Sequence, residues 1–166
     1  MAKSLIVGDI LAVLFSRFEE GTFHWAICIP LDDSKAAKYH VRQSHLHWWF
    51  EDPVPEHDIL VSQTLSAAIK IDLLGSLNPD VVSRDILRDI LMPIPIAVPD
   101  VDKDREPRFT CRVWFREAIR RLHNHRVILC SNVDELEKEC NTYALGNQAA
   151  YATWGAYDRK VSQYSV

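Results

Sequence analysis

Three side chains in this sequence are of a type and order that suggest chemistry: Cys111, His24 and His40. Cys111 opens an amphipathic segment directly after Arg108, Phe109 and Thr110. A thiol at a helix N-terminus meets unsatisfied amide N–H groups and the positive end of the helix dipole, which favour thiolate. The same amides suit an oxyanion developing on an attacked carbonyl. Cys111 also lies in register with an apolar stripe, where a cysteine often serves as a small, inert hydrophobe. A nucleophilic thiol needs an imidazole within reach, and that imidazole needs an orienting partner. His24, in TFHWAICIPL, is the candidate base, because strand alternation turns Phe23 and Trp25 to one side and Thr22, His24 and Ala26 to the other. His40, in KYHV on the next strand, is the candidate orienter.

The elements that must hold these residues follow from hydrophobic period. Residues 10–18, 22–31, 38–43, 47–53 and 64–74 read as strands, separated by short hops that favour an antiparallel meander. The second half changes period. Residues 78–92 read as a helix with Asn78 as cap and Pro79 in its first turn. A proline-punctuated connector at 93–107 precedes the clearest helix, 111–123. There Cys111, Trp114, Phe115, Ala118, Ile119 and Leu122 recur at helical spacing. RVILC (126–130) reads as a short strand, and 132 to about 154 as a last helix with Asn132 or Asp134 as cap and Gly146 as a break. The expected fold is α+β, a sheet meander packed against helices in a single domain over 1–166. It is sheet-rich over 8–76 and helix-rich over 78–155.

The order HWAI, then a second His on the following strand, then a Cys opening a helix resembles the circularly permuted papain-like hydrolases. The nearest branch is NlpC/P60-related and typified by lecithin retinol acyltransferase and the small phospholipase/acyltransferases. The resemblance covers roughly residues 8 to 125 and implies a Cys111–His24–His40 site. This chain reads Thr110-Cys111-Arg112-Val113-Trp114 where that branch usually has Asn-Cys-Glu-His-Phe, and its two histidines are farther apart than usual. The C-terminal membrane anchor common in those acyltransferases is not expected here.

The resemblance implies thiolate attack on an ester, thioester or amide through an acyl-enzyme on Cys111. The substrate would be a small molecule, lipid or peptide contacted by Trp25, Trp48 and Trp49. The alternative is a papain-like scaffold without activity, binding a partner through an aromatic surface at Trp48 and Trp49. Gln43, Ser44 and Glu51 lie near by in sequence, but no spacing assigns them a role.

Other classes fit less well. A net charge of -4 argues against a nucleic-acid partner, and Arg112, Arg116, Arg120 and Arg121 read as a solvated helix face. Cys28, Cys111, Cys130 and Cys140 lack metal or redox spacing and read as thiols. His45-Leu46-His47 and His123-Asn124-His125 lack a companion ligand at diagnostic spacing, so no metal is expected. With five glycines there is no phosphate-cradling loop, and no cofactor is expected. No segment reads as a signal peptide or membrane span, which leaves a cytoplasmic protein as the expectation.

Overall fold

A computed structural model of the chain describes residues 4–17, 19–53, 57–59, 62–77, 83–148 and 160–164. It is an α+β fold with a mixed sheet and three helices. The strands are β1 (Asp9–Ser16), β2 (Phe23–Pro30), β3 (Lys35–Ser44), β4 (His47–Glu51), β5 (His57–Asp58), β6 (Leu65–Leu73) and β7 (Lys160–Val161). The helices are α1 (Arg84–Leu91), α2 (Cys111–Asn124) and α3 (Val133–Gln148), with a 3-10 turn at Asp100–Asp102.

The sheet order is β4-β3-β2-β1-β6-β7, with β5 pairing β3. The first four strands follow one another antiparallel, as a meander would, but β6 returns to the free side of β1. The physical reason lies in β1. Ile10, Ala12 and Leu14 pack on one face and Leu11, Val13 and Phe15 on the other. A strand apolar on both sides belongs in a sheet interior. β7 joins β6 in parallel, so the sheet is mixed.

The larger core lies on one face of the sheet, where α2 packs on β2 and β3 and α3 packs on β6 and β1. Trp114, Phe115, Ala118, Ile119 and Leu122 are fully buried there, and Trp25 meets Phe115 with ring centroids 5.1 Å apart. Burying a side chain the size of Phe115, Ile119 or Leu122 contributes about 1.5–3 kcal/mol. Thr110 starts α2 by accepting from the Val113 amide (3.3 Å).

Four sequence expectations change. The segment 126–130 is not a strand among the described residues. Arg126 takes φ 58, and the amides of Val127 and Ile128 turn back onto the Leu122 carbonyl, closing the end of α2. Its apolar residues Val127, Ile128 and Cys130 are buried in the core all the same.

The first helix begins at Arg84 and is capped by Ser83, whose hydroxyl accepts from the Asp85 amide. The expected cap Asn78, with Pro79, Val81 and Val82, lies outside the described residues. Gly146 does not break α3, which continues to Gln148 and is capped by Asn132, whose side-chain oxygen accepts from the Glu135 amide. Trp154 lies outside the described residues.

The arginines of α2 are not a solvated face. Arg116 is 2% exposed and donates to Asp102, Asp134 and Glu137. Arg112 pairs with Glu106 and Glu137, and Arg120 with Asp102. The carboxylates come from the 93–107 connector and the first turns of α3, which fold over this side of α2. Only Arg121 keeps to a local partner, Glu117 one turn back.

Candidate functional site

β2 and β3 are paired from Pro30↔Ala36 to Ile27↔Tyr39. Beyond Tyr39, β3 takes β4 as its partner, from His40↔Glu51 to Ser44↔His47. His24 on β2 and His40 on β3 therefore lie diagonally across the point where the two strands part, and their rings span it. His24 Nε2 and His40 Nδ1 are 2.6 Å apart, and His40 Nε2 is 2.6 Å from Glu51 Oε2. Arg42 holds the other carboxylate oxygen at 2.9 Å.

The charges fix the protons in this chain of three groups. Burial pushes the Glu51 carboxyl up, but hydrogen bonds from Arg42 and His40 overcome that and leave it below its usual range. Burial, then Lys38, lowers His40 to about 4 against the pull of Glu51. Burial, then His40, Arg17 and Lys38, lowers His24 to about 3. Both imidazoles are therefore neutral at pH 7, and the 2.6 Å His40–Glu51 contact is a hydrogen bond to a carboxylate rather than an ion pair. His40 Nε2–H donates to Glu51, His24 Nε2–H donates to His40 Nδ1, and His24 Nδ1 keeps a lone pair.

Cys111 approaches the parting strands from the helix side. Its Sγ donates to the carbonyl of Phe23, the residue before His24, at 3.8 Å. It also accepts from Arg17 Nη2 at 3.3 Å. Neither histidine is a hydrogen-bond partner of the thiol among the described residues. His24 points to the opposite side of β2, with Phe15 at 6.4 Å between ring centroids. The structure thus brings His24 and His40 together and sets Cys111 beside the backbone that carries His24. A cavity of about 520 Å³ opens at the thiol, lined by Arg17, Glu19, Thr22, Trp25, Arg108 and Arg112, among others.

The aromatic residues divide. Trp25 is core, 2% exposed, and reaches the cavity wall. Trp48 and Trp49 are neighbours on β4 and face opposite sides of it, so they do not form one patch. Trp48 packs edge-on to Phe109 at 5.6 Å, and Trp49 lies over His47 at 6.4 Å. Cys28, Cys130 and Cys140 are buried free thiols, and burial pushes each of them up. No cluster of metal-ligating side chains occurs among the described residues.

Sequence reasoning left two residues of the site without a role. Glu51 was within reach of a register argument: His45-Leu46 as a two-residue hairpin loop sets Ser44 opposite His47 and hence His40 opposite Glu51. The signal was weak because the loop has no glycine, and His45 itself takes φ 53. Arg17 had no sequence signal, since only the β1–β2 turn delivers it to the thiol.

Residues 10–129 match the model of a family described as a family of unknown function, DUF6540. The chain belongs to that family. The DUF6540 match runs from β1 past the end of α2, and so takes in Arg17, His24, His40, Glu51 and Cys111. No curated protein and no solved structure matches the chain. Among the described residues, no helix is long and apolar enough to cross a membrane.

Proposed function

We propose that this protein is a cysteine-dependent hydrolase or acyltransferase with a permuted papain-like fold. The observation that carries the reading is the Glu51–His40–His24 hydrogen-bond chain, which leaves a neutral imidazole with its Nδ1 lone pair free. A neutral imidazole is the form that accepts a thiol proton, and negative charge developing on Cys111 would raise a basicity that burial holds at about 3 in the free protein. Cys111 supports it, opening α2 against the carbonyl next to His24. Catalytic contacts are commonly long before substrate arrives, and with His24 turned to the other side of β2 from the thiol this reading requires the two to meet only in the substrate complex.

In this mechanism His24 Nδ1 takes the Cys111 proton and His40 with Glu51 stabilises the imidazolium formed. The thiolate sulfur bonds to the carbonyl carbon of an ester, thioester or amide, and amides of the first α2 turn face the oxyanion. The carbon–heteroatom bond breaks, and the leaving group departs with the proton from His24. Water or another acceptor, deprotonated by His24, then attacks the thioester and restores the thiol.

The test is intact-mass analysis after exposure to p-nitrophenyl acetate. Wild type is expected to gain one acetyl group at Cys111 and Cys111→Ser none at position 111. His24→Ala should slow acylation roughly 100-fold or more. Equal rates in wild type and His24→Ala, or acylation of Cys111 only after unfolding, would replace this reading with that of a packed cysteine in a binding scaffold.

A further inference from the structure

We propose that the cavity at Cys111 takes a substrate bearing an anionic oxygen group, a carboxylate or a phosphate, held by Arg17 and Arg108. This rests on the reading of Cys111 as nucleophile and adds the substrate class. Three arginines line the cavity, Arg17, Arg108 and Arg112, against one acidic side chain, Glu19. They are not equivalent. Arg112 already pairs with Glu106 and Glu137. Arg17 and Arg108 have no carboxylate partner among the described residues, although ion pairs occupy the other arginines of this part of the chain. Arg17 instead spends a donor on the thiol sulfur, a weak acceptor, at 3.3 Å.

A guanidinium carries five donors in a planar fork that matches a carboxylate or phosphate edge. Arg17 contacts the sulfur and lines the cavity together with Arg108, so an oxyanion bound between them would sit next to the attacking atom. Thr22, Thr110 and Asn141 in the same wall supply neutral polar groups for the rest of a ligand. The volume, about 520 Å³, suits a small organic acid or a short acidic chain end.

Alkylation with two reagents that differ only in charge tests this without any need for turnover. Iodoacetate and iodoacetamide both attack the thiolate, so the ratio of their rates cancels the thiolate fraction. At Cys111 of wild type the iodoacetate-to-iodoacetamide ratio is expected to exceed that of free glutathione by roughly tenfold, the effect of one charge-assisted hydrogen bond. Arg108→Gln should return most of that gain, and Arg108→Lys should keep part of it. Acetate or succinate slowing iodoacetate at millimolar concentration would mark a carboxylate site, and inorganic phosphate doing so would mark a phosphate site. A wild-type ratio equal to that of glutathione, no reaction with either reagent in the folded protein, or an unchanged ratio in Arg108→Gln would overturn the proposal. Acetylation of Cys111 with a glutathione-like ratio would overturn it while leaving the nucleophile intact. A high ratio without His24-dependent acetylation would do the reverse.

Discussion

Two polar networks meet near the start of α2, and they are built in opposite ways. On one side Arg105, Arg112, Arg116 and Arg120 interlock with Asp102, Glu106, Asp134 and Glu137, each ion bridged to at least one other. Across the parting of β2 and β3, Glu51, His40 and His24 form a single file of hydrogen bonds that ends in an open nitrogen. The first network is charged and closed, and it pins the 93–107 connector and α3 to α2. The second is mostly neutral and has a free end. Closed, multiply bridged ions give rigidity, because removing one takes a counter-ion from several others at once. An open-ended relay contributes less to rigidity, and its terminal lone pair is the group available for proton transfer.

Breaking the closed network should have the largest effect on stability. Arg116→Ala leaves Asp102 and Glu137 with fewer counter-ions in a dry setting, and is expected to cost about 3–5 kcal/mol and roughly 10 °C of melting temperature. Calorimetry of that variant checks it. A loss below about 1 kcal/mol would mean that the network is as weak as an exposed one.

An acid titration should separate the two regions. His24 and His40 lie near 3 and 4 in the folded protein against 6.5 when unperturbed. Depressed histidines bind fewer protons folded than unfolded, so their contribution is complete above pH 6.5 and is lost as pH falls toward 3. The slope is up to about 1.4 kcal/mol per pH unit for each histidine titrating. The pair titrates as a unit, so the two values belong to the pair. In the other network Asp102 is pushed up by burial but held below its usual 3.8 by Arg120 and Arg116, and Asp134 is lowered by Arg116. Those carboxylates contribute above about pH 4 and lose it only below. The His24→Gln/His40→Gln double variant should therefore flatten the melting-temperature profile between pH 6.5 and 4 and leave the carboxylate part of the fall below pH 4 in place. The smallest effect marks the edge of the closed network. Arg121→Ala breaks only the local pair with Glu117, and should change stability by about 0.3–0.5 kcal/mol in chemical denaturation.

The strands and helices were mostly legible, because period is a local property of the chain. β1, β2, β4, β6 and α2 lie within a few residues of their expected spans. Two of the failures came from contacts that the local period does not record. RVILC has strand composition, but its amides are taken by the end of α2 and its Leu129 amide by Asp72 of β6. The arginine face of α2 carries the pattern of a solvated surface, and only the return of the connector and α3 buries it.

The sequence by itself determined an apolar stripe beginning at Cys111 and two histidines on strands that follow one another. These depend on side-chain period, which is set within a few residues. Tertiary structure decided that β3 leaves β2 after Tyr39, that His40 sits opposite Glu51, and that Arg17 reaches the thiol. It also decided which arginines are paired with carboxylates and which are not among the described residues. Strand register and charge pairing are relations between residues far apart in the chain. They exist only once the core on the helix side of the sheet has closed.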